Sequence, residues 1–433
     1  MRNKTLILYA LSILLGILIG TVGSLLQLTI HWINNALISW YHFAASKGFN
    51  ISIVSALTTM VLVYIAWALV KWVANEASGS GVQEIEGALL HERLIFWRRL
   101  LPVKFVGGVI AIGSKMVLGR EGPTIQIGGN FGEMLGECFS LTRKRRDSLI
   151  AAGAAAGLAT AFNAPLAGVL FVLEEMRSEF NFSFTNFKTV LICCVSATII
   201  LHLIIGPQPD IKMTVFTLPN LQSLWLFFVF GLAVGLVGLA FNRFLMKLLY
   251  GLDKLKPWVK DIYVLIIGLV VGYLSCNQPS VVGGGYHIIE HALIDYPDFS
   301  VLVMVLITRF IITLLCYGTG VPGGIFAPML ALGTILGLAA AHIFEAISDI
   351  TIHPGMFAVA GMGALFAASV RAPITGIILV VEMTQNYLLI LPLMVTCLTS
   401  TTVVQLANNA PIYSQLLRRT LKKAVQHPDN KIS

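Results

Sequence analysis

Gly119-Arg120-Glu121-Gly122-Pro123, continued by Thr124-Ile125-Gln126-Ile127-Gly128-Gly129, decides how the rest of this chain is read. A glutamate and an arginine stand there inside strongly apolar sequence, where ionisable groups are costly unless paired or functional. Gly119 and Gly122 permit irregular backbone, and Pro123 suits the first turn of a helix, where its missing N–H matters little. The stretch predicts a broken helix that restarts near Pro123, with Glu121 just ahead of its N-terminus. Unpaired N–H groups and the positive pole of the helix dipole make such an end an anion site. A tethered carboxylate can itself be that anion, and can leave when protonated. The plainer reading makes Arg120 and Glu121 a buried pair that caps the helix.

Around this stretch the composition defines the class. The 433 residues are 57% hydrophobic and only 12% charged, with a mean hydropathy of +0.83. No soluble globular protein needs that much apolar surface, so the chain is expected to be an all-α polytopic membrane protein embedded in the lipid bilayer. The net charge is +8, but the basic residues cluster at Arg2 and Lys4, at 143–146 and at 418–423. Such clusters report orientation rather than nucleic-acid binding, and they predict both termini and the loop 141–147 to be cytoplasmic. The six cysteines are scattered through apolar segments, and the nine histidines show no metal-ligand spacing; neither a metal nor a cofactor is expected. The apolar run from Leu6 past Leu26 is too long for a cleaved signal core and reads as an uncleaved first span.

Residues 5–28 and 51–73 are each long enough to cross about 30 Å of hydrocarbon. After them the pattern breaks up. Ser78-Gly79-Ser80-Gly81 leads into a helix too short to span. The segment 100–118 is interrupted by Lys104, Gly107 and Gly108, and 149–162 and 166–176 are split at Asn163-Ala164-Pro165. Segments 190–205 and 221–249 complete the first portion and open the second. Irregular backbone at membrane depth survives only where protein or a cavity lines it, and paired broken segments point to a transporter site.

The second portion repeats the first. Ala164-Pro165, Gly168 and Glu174 match Ala372-Pro373, Gly376 and Glu382 at one offset (382 − 174 = 208). Glu86 falls opposite Glu290 (290 − 86 = 204), and Lys104 opposite Arg309 (309 − 104 = 205). Gly122, Gly132 and Gly136 are set against Gly323, Gly333 and Gly337 (333 − 132 = 201). Two homologous halves follow, about 5–205 and 221–413, expected to be inverted, with broken and partially spanning helices. The partner of the Glu121 stretch is then Gly320-Val321-Pro322-Gly323-Gly324-Ile325-Phe326-Ala327-Pro328, a second break without a charge. Two helix N-termini could thus hold an anion near the midplane without a full positive charge, as suits an ion that must also leave.

These blocks together resemble the CLC family of chloride channels and proton/chloride exchangers, and among them the bacterial exchangers. The resemblance runs from about Thr5 to Tyr413, on Gly79-Ser80-Gly81, Gly119–Pro123, Gly323–Pro328 and the late Tyr413. It implies one transmembrane domain over 1–433, a short cytoplasmic tail at 414–433 and no nucleotide-sensing domains. It also implies a homodimer with one pathway per subunit, in a bacterial inner membrane. Chloride and protons would be the substrates, with no enzymatic activity. Ser80, Tyr413 and the N–H groups of Ile325 and Phe326 would bind chloride. Glu121 would be the external gate and proton acceptor, and Glu175 the internal proton-transfer residue. Glu174 recurs in the second half as Glu382, whereas Glu175 stands opposite Met383; this favours Glu174 as scaffold. Lys104, Glu86 and Arg309 are expected to be buried structural charges. The family usually has proline where this chain has Gln83, which removes a φ restraint beside the serine loop. The alternative within the same fold is a passive chloride channel.

Overall fold

The computed structural model describes residues 2–176, 183–209, 211, 213, 216, 221–347 and 353–426, and among these all regular secondary structure is helical, apart from one isolated two-residue β-bridge. Of the expected tail 414–433, residues 427–433 lie outside the described residues. The first half comprises α1 (Arg2–Ser46), α2 (Ile51–Trp72), α3 (Val82–Leu89), α4 (Trp97–Gly113), α5 (Glu121–Cys138), α6 (Arg143–Phe162), α7 (Pro165–Glu174) and α8 (Phe184–Ile204). The second comprises α9 (Leu224–Asp253), α10 (Pro257–Asn277), α11 (Tyr286–Asp295), α12 (Phe299–Gly318), α13 (Phe326–Ile347), α14 (Pro354–Val370), α15 (Pro373–Thr384) and α16 (Ile390–Leu406). A final helix, α17 (Ile412–Gln426), follows. Among the described residues eight helices are long and apolar enough to cross a membrane, which makes this a multi-pass membrane protein.

The repeat governs the packing. α5 packs on α6 as α13 packs on α14; α1 on α8 as α9 on α16; and α6 on α8 as α14 on α16. Between halves, α2 meets α10 and α7 meets α15, each helix touching its own counterpart, as a two-fold relation requires. Glycines let the helices approach. A Cβ on Gly128 would strike the Gly153 carbonyl and one on Gly153 the Gly128 carbonyl, and the same reciprocal contact joins Gly333 and Gly361.

That geometry corrects the glycine register. α5 and α13 begin at Glu121 and Phe326, so Gly128 is equivalent to Gly333 and Gly132 to Gly337, one turn away from the sequence alignment. Gly132 lies against the Leu149 carbonyl just as Gly337 lies against that of Phe357. Glycines four residues apart match equally well after a one-turn slip, which is why the sequence could not choose.

Other boundaries move too. α5 starts at Glu121 rather than near Pro123, so Glu121 belongs to its first turn and Pro123 still falls where no N–H is needed. The basic stretch at 143–146 is the start of α6 rather than a loop. The first span continues to Ser46, 45 helical residues where about 20 suffice to cross. Both sharp breaks turn on a left-handed residue, Asn163 (φ 52°) after α6 and Arg371 (φ 63°) after α14, followed by a proline that opens the next helix.

Candidate functional site

The two broken stretches meet in that bridge. Gly119 N donates to Gly324 O (2.8 Å) and Gly324 N to Gly119 O (2.7 Å), and the strands run antiparallel. Each glycine precedes its helix by two residues, so the bridge joins equivalent positions and brings the starts of α5 and α13 together. The N–H groups of a helix's first turn have no carbonyl one turn earlier, so both starts present donors and positive dipole ends.

The Ser80 loop is tied to the same place. Gly79 and Gly81 both have positive φ (62° and 86°), which a side chain would resist. Gly79 N donates to Gly320 O (3.3 Å), and Gly323 N to Gly79 O (3.0 Å). Lys104, wholly buried, donates from Nζ to the carbonyls of Ala77 (2.9 Å) and Gly79 (2.7 Å). Arg309 does the same in the second half, to Val282 (3.2 Å) and Gly283 (2.7 Å). The two buried cations therefore staple equivalent loops.

Ser80 and Tyr413 are both fully buried, and neither Ser80 Oγ nor the Tyr413 hydroxyl makes a well-formed hydrogen bond within the protein. They face one another closely enough to interact, and Glu121, Glu175 and Tyr317 also act on the Tyr413 phenol. Ser80 Oγ lies against Gly122 in the first turn of α5. The Phe326 ring meets Tyr413 edge-on at 5.5 Å, and Ile325 lies just before it, also buried. Two buried hydroxyls beside a helix start need a partner, and a small acceptor held between them, an anion or a water, can accept from both.

Glu121 is fully buried at the start of α5. Its Oε2 rests against the backbone of Gly119 and Gly324, and its Oε1 is 3.5 Å from the Tyr286 hydroxyl. Arg120 donates from Nε to Ala161 O (2.9 Å), with its guanidinium over the Tyr286 ring. Glu175 follows the last residue of α7 and is half-buried.

Glu174 turns elsewhere. It accepts from Ile374 N (3.1 Å), Thr375 N (2.7 Å) and Thr375 Oγ1 (2.8 Å), capping α15. Glu382 returns the arrangement to α7, accepting from Leu166 N (3.1 Å) and Ala167 N (2.8 Å). The duplicated glutamates are thus reciprocal caps between the halves. Gln83 sits in the first turn of α3, where no intrahelical N–H bond is needed, so the backbone keeps its form without proline.

Sequence reasoning missed two residues. Tyr317 accepts from Ser80 N (3.4 Å), and Tyr286 contacts Glu121. Tyr317 carries no motif. Tyr286 stands opposite Val82 in the repeat, a pairing without a polar signal.

Fold and site define a class: a helical, multi-pass membrane protein whose duplicated halves place buried hydroxyls and a carboxylate between two helix starts. Residues 60–405 match the family described as voltage gated chloride channel, and the chain belongs to it. An H+/Cl− exchange transporter of Vibrio parahaemolyticus is 45% identical over 418 residues, covering 94% of this chain and 89% of that relative. The protein of that name from Salmonella paratyphi A is 42% identical over 436 residues, 98% of this chain and 90% of the relative. Among solved structures, a slow cyanobacterial Cl−/H+ antiporter superposes with a TM-score of 0.92 at 40% identity, over 97% of this chain and 98% of that one. A CLC-type fluoride/proton antiporter shares the fold (TM-score 0.79, 20% identity, 96% and 98% covered). The named relatives are transporters, not enzymes.

Proposed function

We propose that this protein exchanges chloride for protons across the membrane. The observation that carries the reading is a pair of fully buried hydroxyls that meet no protein polar group but one another, Ser80 beside the start of α5 and Tyr413 beside the start of α13. Neutral donors attract an anion without trapping it, and the N–H groups of Ile325 and Phe326 complete the set. Glu121 is the external gate: ionised, it competes with chloride for the helix start; protonated, it withdraws. Glu175 passes protons from the inner side, and the Tyr413 phenol lies within the electrostatic reach of both carboxylates. The relatives named as H+/Cl− exchange transporters, similar over nearly the whole chain, support the same substrates.

On this reading residues 1–433 form one transmembrane domain, with repeat halves at about 5–205 and 221–413. It assembles as a homodimer in a bacterial inner membrane with both termini cytoplasmic. The test is chloride efflux from proteoliposomes of purified protein while external pH is recorded. A chloride gradient should drive protons uphill. A chloride current whose reversal potential ignores the pH gradient would establish a channel instead.

A further inference from the structure

The repeat, in the register the helices adopt, gives the Ser80 site a counterpart. Ser80 and Val82 fall opposite Gly284 and Tyr286, and Phe326 falls opposite Glu121. Where Gly79 of the first-half loop bonds the stretch ahead of α13, at Gly320 and Gly323, Gly283 of the second-half loop bonds the stretch ahead of α5, its N–H donating to Lys115 O (2.9 Å). At that second meeting point the polar group from the loop side is the Tyr286 hydroxyl, 3.5 Å from Glu121 Oε1 and at the outer limit of a hydrogen bond. The other carboxylate oxygen rests against Gly119 and Gly324. Backbone on one side and a phenol on the other therefore bracket the carboxylate. The Arg120 guanidinium lies over the Tyr286 ring, its central carbon 4.8 Å from the centroid. This contact fixes the ring and draws electron density from it, which strengthens the hydroxyl as a donor to an ionised group.

We infer that Tyr286 is a positioning residue that latches the Glu121 carboxylate inside the bundle and sets how readily it leaves. The inference rests on Glu121 acting as the gate. Tyr286→Phe removes the hydroxyl and keeps the ring under Arg120, so the fold is undisturbed. In proteoliposomes this variant should raise chloride turnover roughly three- to tenfold, the worth of one hydrogen bond. Its ratio of chloride to protons should stay at the wild-type value, because the proton still passes through Glu121. In a Glu121→Ala background the same substitution should leave chloride flux unaltered, since no carboxylate remains to be held. Unchanged or lowered turnover in the first background, equal acceleration in both, or a lost coupling ratio overturns the latch. Glu121→Ala alone tests the reading beneath: if that variant still couples protons to chloride, the gate assignment fails whatever Tyr286→Phe does.

Discussion

Ser80 and Tyr413 carry the sharpest expectations at the scale of single residues. If they bind chloride as proposed, Ser80→Ala and Tyr413→Phe each remove one donor to a charged ligand, worth about 1.5–3 kcal/mol, or roughly ten- to a hundredfold in chloride affinity. Because neither hydroxyl makes a well-formed bond to any protein group, their removal should leave thermal stability nearly unchanged. Calorimetric titration showing wild-type affinity in both variants would take them out of the site. The two glutamates separate differently. Glu121→Gln imitates the protonated side chain, so chloride should still move while protons should not. Glu175→Gln should also stop protons yet keep the pH sensitivity of chloride flux, because Glu121 still titrates. Proton pumping at the wild-type ratio by Glu175→Gln would remove it from the path. Ser80 and Glu121 were legible as candidates because a polar residue beside a glycine break in apolar sequence has few uses, whereas Tyr413, with no glycine near it, was singled out by the family resemblance alone. Tyr317 was not, since an aromatic in an apolar helix is ordinarily packing, and Tyr286, though it follows a glycine break, stands opposite the apolar Val82 in the repeat.

The elements explain why some features could be read ahead and others could not. Glu174 was legible as scaffold because duplication preserves caps that each half lends the other, and the structure shows that exchange with α15 and α7. Helix ends were poorly legible. α1 runs on through His31, Asn34 and Asn35 because an amphipathic continuation needs no apolar signal on its exposed side. α17 is a second such case. It buries Ile412, Tyr413, Leu416 and Leu417 on one side and exposes Arg418 and Lys422 on the other. Its far end is clamped by Asp253, the last residue of α9, which accepts from Arg419 Nε and Nη2 (both 2.7 Å) and pairs with Lys423. Asp253→Asn should therefore loosen the helix that presents Tyr413. The pair is partly exposed, so we expect a modest effect: about 1 kcal/mol of stability and a two- to fivefold weaker chloride affinity. A tighter or unchanged chloride isotherm would show that the Tyr413 position is fixed from α3 and α14 alone.

Across the whole molecule, duplication was evident in the sequence but its register was not, because Gly128, Gly132 and Gly136 recur once per helical turn. The contacts resolve it: Gly128 and Gly153 touch backbone to backbone, as Gly333 and Gly361 do. A larger residue at any of the four must push two helices apart. Gly128→Val should cost about 3 kcal/mol or more and lower the melting temperature of the purified protein, and Gly333→Val should match it. Strongly unequal losses would mean that the two helix pairs are not mechanically equivalent. The bridge between Gly119 and Gly324 carries the same equivalence to the centre, where each glycine gives the other one hydrogen bond and receives one. A scaffold so nearly even-handed has no front and no back of its own. Whatever makes the two membrane faces unlike must be written in side chains at matched places, chiefly Glu121 against Phe326 and Ser80 against Gly284. Polarity in this molecule is therefore a matter of a few letters laid over an ambidextrous frame, and exchanging those letters between the halves is how the sense of the device would be turned around.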